Sequence, residues 1–327
     1  MELKDRFHRI IDYMRISITD RCNLRCVYCM PAKGVSLFES KEILTYEEIE
    51  RVVMVAAGLG VRKIRLTGGE PLARKGVTHL ISSLKNIAGI EEISLTTNGV
   101  LLKKYAHELS EAGLSRVNIS LDSFRPDRYQ EITRGGDINN VLQGIKAAEK
   151  AGLMPIKINM VPMRGVNDDE IEDFARVTLN TPHHIRFIEF MPIGGGDAWS
   201  DTKYIHTEEI RAIVEKIGPL LPVKLRKTGP ARYFRFGNAQ GVIGFISALT
   251  HHFCGDCNRL RLTADGKLRP CLFSETERAL QPALRNYSSD EEIERLLRLS
   301  IEVKPEWHNI NQRSDLESLR TMSKIGG

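Results

Sequence analysis

The segment from Tyr13 to Cys29 reads YMRISITDRCNLRCVYC, and it decides the fold of the chain. Polar and apolar residues alternate over residues 13–19, which predicts a β-strand with Arg15 on one face and the isoleucines on the other. Three cysteines follow this strand within eight residues. The segment therefore predicts a strand whose carboxyl end leads directly into a thiol-rich loop.

Strands of this kind recur along the chain and alternate with helical stretches. A capping-box pattern at Thr45 and Glu48 predicts one helix start, and Gly60, Gly113 and Gly152 stand where helices should end. Six β-α repeats in succession indicate a parallel sheet with helices outside it, either doubly wound or curled into a barrel. The other five predicted strands are Lys63–Leu66, Glu92–Thr96, Arg116–Leu121, Ile156–Met160 and Ile185–Phe190.

The pattern changes after Gly194-Gly195-Gly196, which lacks the spacing and the lysine of a phosphate loop and is interpreted as a flexible connector. Beyond it the sequence predicts a helix near Glu208–Lys216, a strand at Val242–Ser247, a hairpin around Ala264–Gly266 and a capped helix after Ser289. These elements indicate a smaller C-terminal region.

One face of nearly every predicted strand is polar, and several of these faces are cationic. Strands of a parallel sheet that is covered on both sides read as continuous apolar runs, so the polar faces here indicate a lumen for a polar, anionic ligand. The alternative is that one or two of the strands are solvated edge strands. The polar positions are Arg15, Ser17, Thr19, Lys63, Arg65, Asn118, Ser120, Asp122, Lys157 and Asn159.

The chain of 327 residues has a formal net charge of +5, and its positive residues are scattered. This distribution favours a small anionic ligand over nucleic acid, which usually needs a concentrated basic patch. No apolar stretch is long enough to span a membrane, and the first residues contain no apolar signal region. We therefore expect a cytosolic protein that binds neither membrane nor nucleic acid.

The six cysteines form two triplets, Cys22, Cys26, Cys29 and Cys254, Cys257, Cys271. In a reducing compartment such clusters indicate metal or cofactor ligands rather than disulfides. Structural zinc sites use four ligands, whereas three thiolates on a [4Fe–4S] cluster leave one iron open for a further ligand. A zinc site with a distant fourth ligand and unrelated free cysteines are the alternatives.

The first triplet, with Tyr28 inside it, resembles the C-x3-C-x2-C loop of the radical S-adenosylmethionine (SAM) superfamily. Gly68-Gly69-Glu70-Pro71, after the second strand, matches the GGEP motif of that superfamily. The second triplet, with Phe253 before it and NRLRLT at residues 258–263, resembles the GTP 3′,8-cyclase family, and the likeness runs almost from end to end.

The resemblance implies an incomplete (βα)6 TIM-like barrel over residues 1–196 and a C-terminal α+β region over 197–327 that closes its open side. It also implies two [4Fe–4S] clusters, SAM and a 5′-deoxyadenosyl radical that takes hydrogen from C3′ of GTP. C3′ then bonds to guanine C8, in the first step of molybdenum cofactor biosynthesis. The implied partners are an electron donor of the ferredoxin or flavodoxin type, a downstream cyclic pyranopterin monophosphate synthase and a second copy of the chain.

The family match also assigns roles to individual residues. The six cysteines would bind the two clusters. The terminal Gly326-Gly327 would enter the catalytic cavity, since the tail has no apolar periodicity that packing would explain, and Arg259 and Arg261 would serve catalysis as well as GTP binding. The expected SAM contacts are Tyr28, Gly68, Gly69, Glu70, Asn98, Ser120 and Met191. The expected GTP contacts are Arg15, Lys63, Arg65, Thr96, Lys157, Arg186, Arg259 and Arg261.

Three other functions remain as alternatives: a radical SAM enzyme with an auxiliary cluster that modifies peptides, a non-catalytic electron carrier, and a zinc-stabilised nucleic-acid module. A carrier should close each cluster with four cysteines, and a nucleic-acid module should carry more aromatic residues than 6 %. The adjacent pairs His183-His184 and His251-His252 are expected to be ordinary loop or surface histidines, because neighbours on a strand point to opposite faces.

Overall fold

The computed structural model describes residues 2–193, 200–225, 229–308 and 320–326 of the chain. Its strands are β1 (Tyr13–Ser17), β2 (Lys63–Thr67), β3 (Glu92–Thr97), β4 (Arg116–Ser120), β5 (Lys157–Met160), β6 (His184–Ile188), β7 (Leu220–Val223), β8 (Arg232–Phe236), β9 (Val242–Ile246), β10 (Arg259–Leu262), β11 (Lys267–Arg269) and β12 (Arg278–Ala279). Its helices are α1 (Tyr46–Gly58), α2 (Val77–Lys85), α3 (Leu102–Glu111), α4 (Pro126–Thr133), α5 (Ile138–Lys150), α6 (Ile171–Asn180), α7 (Thr207–Glu215), α8 (Gln281–Arg285), α9 (Asp290–Glu302) and α10 (Met322–Ile325).

The predicted helix cap and the predicted helix-ending glycines are present in the structure. Thr45 Oγ1 accepts a hydrogen bond from the Glu48 amide at 3.2 Å, and the Glu48 carboxylate accepts one from the Thr45 amide at 2.7 Å, so the capping box starts α1. Gly60 and Gly113 follow α1 and α3 with φ of 94° and 92°, which only glycine adopts at little cost. All six predicted strands of the first part exist, with ends shifted by one or two residues.

The six strands β1 to β6 lie side by side in chain order, and every adjacent pair is parallel. Their apolar faces point toward the helices, where Ile16, Ile64 and Ile119 are completely buried. The opposite faces carry the polar residues. This is the predicted incomplete (βα)6 barrel with a lumen on its polar side.

Strands of the C-terminal region extend this sheet at both ends. β10 pairs in parallel with β1, with Arg261 opposite Arg15, and β9 pairs in parallel with β6, with Gly244 opposite Arg186. Antiparallel strands follow on either side, β11 and β12 beyond β10, and β8 and β7 beyond β9. The predicted hairpin at 264–266 is the connection between β10 and β11.

Three predictions fall on residues outside the described ranges: the Gly194–Gly196 connector, the boundary between 196 and 197, and the terminal Gly327. The division into 1–196 and 197–327 therefore stays a prediction. Within the described residues, no helix has the length and apolarity that crossing a bilayer requires.

The prediction that packing does not explain the C-terminal tail is wrong. Met322–Ile325 forms a short helix, and Ile325 is 1 % exposed in a small apolar cluster with Ile193, Ala248 and Phe273. A single buried isoleucine is enough to anchor a tail, although it produces no periodic pattern in the sequence.

Candidate functional site

A cavity of about 290 Å³ opens at the carboxyl ends of the barrel strands and continues down the lumen. All eight residues predicted to contact GTP line it, together with all three cysteines of the first triplet. The strand register explains this convergence. Arg15 lies opposite Arg65 on one side and Arg261 on the other, so three arginines form one row across β2, β1 and β10.

The cationic side chains of this cavity repel one another. Burial, and then the charges of Arg261 and Arg65, hold the pKa of Arg15 well below its usual value. Burial, followed by Arg186, Arg116 and Arg65, lowers the pKa of Lys157 to about 6. A site that lowers the pKa of its cations in this way is complementary to a polyanion, which would restore their charge.

Three buried polar atoms of the cavity lack a hydrogen-bond partner in the part of the chain that the structure describes. Among the described residues, Thr96 Oγ1, Asn159 Oδ1 and Arg186 Nε are buried without a hydrogen bond. Buried polar atoms are normally paired, so these three atoms mark where polar groups of a ligand would bind. Arg186 Nη2 donates to Asn118 Oδ1 at 2.7 Å, which holds the guanidinium in the lumen.

The first triplet forms a tight loop after β1. The Cys29 amide donates to the Cys26 carbonyl at 2.9 Å, and the Leu24 amide donates to Cys22 Sγ at 3.4 Å. Burial, followed by the charge of Cys22, raises the pKa of Cys29 to about 12, and burial and neighbouring thiolates raise that of Cys26. Three thiols that suppress one another's ionisation need a bound cationic centre to hold all three as thiolates.

The glycines of the GGEP loop are required by the neighbouring loop. A Cβ on Gly68 would lie 2.4 Å from the Thr19 carbonyl oxygen, and one on Gly69 would lie 2.4 Å from that of Arg21. The Gly69 amide donates to the Thr19 carbonyl at 2.7 Å, so the loops after β1 and β2 are joined through their backbones. Close approach of backbone to backbone is thus an observed reason for these glycines, beside the predicted contact with SAM.

Glu70 has a different position from the other residues predicted to contact SAM. Its carboxylate is completely buried and accepts from the Leu72 amide, Thr97 Oγ1 and the Asn98 amide at 2.8–2.9 Å. Burial raises the pKa of Glu70 to about 7. Within the described residues it does not line the cavity, so it positions the loops after β2 and β3. The residues that do line it are Tyr28, Gly68, Gly69, Asn98, Ser120 and Met191.

Sequence reasoning missed several cavity residues. Tyr13 and Arg116 line it at the starts of their strands, and simple alternation from Arg15 and Asn118 would have found them. Asp122 was assigned only to the polar face of its strand, yet it accepts a hydrogen bond from Tyr28 Oη at 2.6 Å and from the Val161 amide at 2.9 Å. It therefore holds the aromatic ring of the cysteine loop against the barrel.

The cysteines of the second triplet do not line the cavity themselves, but their neighbours Phe253, Asn258 and Leu272 do. One of its thiols differs from those of the first triplet. Burial alone would raise the pKa of Cys257, but the charges of Arg259 and Lys304 outweigh it and lower the pKa to about 6. Cys257 is therefore a thiolate at neutral pH even before a metal centre binds.

The positions of possible ligand atoms bear on the alternative of a single zinc ion at each cysteine triplet. Two sulfurs bound to one zinc ion are at most about 4.6 Å apart, twice the Zn–S distance. Among the described residues, the one group whose ligand atoms all lie within 4.8 Å of one another is His252, Cys254 and His308. Neither cysteine triplet is such a group, so neither is arranged in this structure as three thiolates around a single zinc ion, although Cys254 belongs to the group with the two histidines.

The expectation of ordinary loop or surface histidines is wrong for His184, which lies in a strand, whereas His183 and His252 do lie in loops, the first of them buried. His183 is 3 % exposed and contacts Glu149 at 2.9 Å, and His184 lies in β6, where burial and then Lys157 lower its pKa to about 3. His252 Nδ1 lies 2.9 Å from His308 Nε2, beside Cys254. The sequence pattern does not indicate this last contact, because the pairing partner, His308, is more than fifty residues away.

The tail lines the cavity through Met322, and Gly326, which has a φ of 79°, contacts the cavity residue Arg261. Arg261 Nη1 donates to the Gly326 carbonyl at 2.9 Å, and a Cβ on Gly326 would lie 2.7 Å from Ser17 Cβ. The penultimate residue is therefore wedged against the end of β1, next to a predicted GTP contact. Gly327 lies outside the described residues.

Comparisons with known proteins agree with this geometry. A family model described as the radical SAM superfamily matches residues 16–178, and one described as molybdenum cofactor synthesis C matches residues 183–310. The chain is 52 % identical to GTP 3′,8-cyclase of Thermodesulfovibrio yellowstonii over 327 residues, and 50 % identical to that of Alkaliphilus oremlandii over 325 residues. Each alignment covers 99 % of this chain and 100 % of the relative.

Among solved structures, the fold is similar to Streptococcus suis SuiB bound to SAM. The TM-score is 0.65 at 14 % identity, and the match covers 97 % of this chain and 78 % of SuiB. At that identity the likeness shows the fold alone.

Proposed function

We propose, since this chain belongs to the GTP 3′,8-cyclase family, that it converts GTP to (8S)-3′,8-cyclo-7,8-dihydroguanosine 5′-triphosphate. This is the first step of molybdenum cofactor biosynthesis. The observation that carries the proposal is the row Arg65–Arg15–Arg261, because it places three guanidinium groups side by side in a cavity that the first cysteine triplet also lines.

Membership of the radical SAM superfamily implies a [4Fe–4S] cluster and SAM. We assign the cluster to Cys22, Cys26 and Cys29, because these thiols share one loop and repel one another as thiolates. When bound, the cluster supplies the electron that cleaves SAM to a 5′-deoxyadenosyl radical. Gly69, Ser120 and Met191 would hold SAM beside it.

We also propose that a second [4Fe–4S] cluster binds to Cys254, Cys257 and Cys271. It is supported by the cavity-lining residues that adjoin these cysteines and by the lowered pKa of Cys257. Its open iron would hold the guanine edge of GTP at the rim. Phe253, which contacts the Arg259 guanidinium at 4.8 Å from its ring centroid, would border the base.

The protein's own groups position GTP for the bond change. Hydrogen leaves C3′ of the ribose, C3′ bonds to C8 of guanine, and the base then takes up one electron and one proton. The triphosphate would lie on the arginines of the lumen, since Arg binds phosphate oxygens in a bidentate manner. Arg261, which contacts both this region and the Gly326 carbonyl, would link the nucleotide to the C-terminal tail.

The remaining partners are also proposals. A ferredoxin- or flavodoxin-type protein would supply electrons, and a cyclic pyranopterin monophosphate synthase would consume the product. We propose a homodimer that works in the cytosol, where reducing conditions keep the six thiols available for clusters.

The direct test is an anaerobic reaction of the reconstituted enzyme with GTP, SAM and a chemical reductant. We expect 5′-deoxyadenosine and the cyclised nucleotide to form together, with deuterium moving from GTP labelled at C3′ into 5′-deoxyadenosine. Transfer from another ribose position, or none at all, would contradict the proposal.

The peptide-modifying alternative is tested in the same assay. A peptide substrate should neither stimulate SAM cleavage nor become labelled, whereas GTP should protect the second cluster against chelators. Iron analysis gives an independent check, since two clusters correspond to about eight irons per chain and one to about four.

A further inference from the structure

Lys304 is a buried lysine that touches the second cysteine triplet. It is 2 % exposed and follows the end of α9. Its ammonium donates to the Arg259 carbonyl at 2.9 Å and to the Pro270 carbonyl at 2.6 Å, and the Cys257 side chain also interacts with it. Two of the three donors of the ammonium group are thus used by backbone carbonyls.

These partners lie on both arms of the triplet. Arg259 comes two residues after Cys257, at the start of β10, and Pro270 directly precedes Cys271. One side chain therefore joins two segments that are separated by eleven residues in the chain. A hydrogen-bonded ammonium at this place fixes the distance between the two thiols more firmly than the backbone alone would.

The segment that carries Lys304 is itself fixed. The buried Arg9 donates to the Pro305 carbonyl at 2.7 Å, to the Glu306 carbonyl at 3.1 Å and to the Cys254 carbonyl at 2.6 Å. Arg9 is held in turn by Asp5 at 2.5 Å, with both side chains nearly inaccessible. The segment after α9 is thereby tied to the remaining cysteine of the triplet.

The charge of Lys304 has no carboxylate counterpart. Among the described residues no acidic side chain forms an ion pair with it, and the groups that face it are the side chains of Cys257 and Cys271, with Arg259 as a further cation. A buried cation without a carboxylate partner is costly, unless the group that it faces carries negative charge when the site is filled. A thiolate-bound iron–sulfur cluster supplies that charge, and more of it when reduced.

We propose that Lys304 is a positioning residue for the second cluster. Its ammonium group holds the segments of Cys257 and Cys271 together and stabilises the reduced form of the cluster. This inference rests on the proposed function only in requiring that a cluster binds at this triplet. The physical basis is that hydrogen bonds to cluster sulfurs and net charge nearby set the reduction potential of a cluster. Removing the positive charge should disfavour the reduced, more negative form.

The test uses the full chain with Cys22, Cys26 and Cys29 replaced by Ala, so that the spectroscopic signal of the second cluster is observed alone. In this background we compare Lys304→Met, Lys304→Arg and the matched control Lys150→Met, whose lysine is exposed on α5. Iron per chain, circular dichroism and a redox titration followed by electron paramagnetic resonance are the readouts.

At a fixed solution potential, Lys304→Met should lower the reduced-to-oxidised ratio on the order of tenfold, a shift of about 59 mV for one electron. Lys304→Arg, which keeps the charge, and Lys150→Met should stay close to the parent. Loss of iron from a folded Lys304→Met chain, with iron retained by Lys304→Arg, would support the same conclusion. If Lys304→Met does not fold, Lys304→Gln makes the same comparison, because it removes the charge but keeps two N–H donors.

An unchanged ratio and unchanged iron content in the folded neutral variant would overturn the inference. Absence of any cluster signal from the parent with Lys304 intact would instead contradict the proposed second cluster itself. The two failures are therefore distinguishable.

Discussion

The pKa of Lys157 indicates the charge of the ligand that its site would bind. Its side chain lies in the lumen, where burial and three arginines lower its pKa to about 6. In the free enzyme above that pH the ammonium has lost its proton. A bound triphosphate would reverse the electrostatic balance and raise the pKa again.

We therefore expect GTP binding at pH 8 to take up a proton at Lys157. Because the pKa rises on binding, the affinity for GTP should fall as the pH increases above about 6. Calorimetric titration without SAM, in two buffers of different ionisation enthalpy, measures the uptake. Lys157→Met should remove it and Lys150→Met should not; uptake that persists in Lys157→Met would refute the assignment.

A second residue-scale prediction concerns Gly326. Its left-handed φ and the 2.7 Å approach to Ser17 mean that even a methyl group forces the tail away from Arg261. Gly326→Ala should reduce cyclisation at least about tenfold, since a small displacement of positioned groups can cost this much. Iron content and thermal unfolding should remain near those of the wild type.

The matched control for this substitution is Gly237→Ala. Gly237 is exposed, and a Cβ there meets nothing within 4 Å. Equal activity of the two variants would show that the tail needs no glycine at this position.

At the scale of elements, the two cysteine loops have separate tasks and should fail in different ways. Replacing Cys22, Cys26 or Cys29 by Ala removes the electron source for SAM, so 5′-deoxyadenosine should no longer form. Replacing Cys257 by Ala removes a ligand of the second cluster only, and SAM cleavage should persist without cyclisation.

Both outcomes are measured by chromatography of the same anaerobic reactions, with iron content confirming which cluster is lost. Formation of 5′-deoxyadenosine by a first-triplet variant would show that the first assignment is wrong. Normal cyclisation by Cys257→Ala would show that the second cluster does not position GTP.

The elements also show what local sequence can and cannot predict. Strands β1 to β6 and their lumen-facing cations were predictable, because alternation has a period of two and parallel strands in chain order bring equivalent faces together. The GTP contacts predicted by family likeness coincide with this lining. The residues that contact the cysteine segments from elsewhere in the chain were not predictable. Lys304, Arg9 and His308 are distant in sequence from their partners, and such contacts produce no periodic pattern in the sequence.

At the scale of the whole molecule, the C-terminal region completes the barrel sheet. β10 covers the edge of β1 and β9 covers the edge of β6 through parallel ladders, and Leu260 and Ile243 on these strands are completely buried. Without this region, two long unpaired edges and their apolar neighbours would face solvent. Exposed edges of this kind pair with other chains and cause aggregation.

We therefore expect a fragment of residues 1–196, cut at the predicted boundary, not to fold as a stable monomer. Expressed alone it should aggregate or unfold without a cooperative transition, whereas co-expression with residues 197–327 should yield a soluble complex that binds iron. Size-exclusion chromatography and thermal unfolding by circular dichroism make the comparison. A monomeric fragment with a cooperative transition would mean that the two parts are independent domains, because its β1 and β6 edges would then tolerate solvent without the parallel partners that cover them in the full chain.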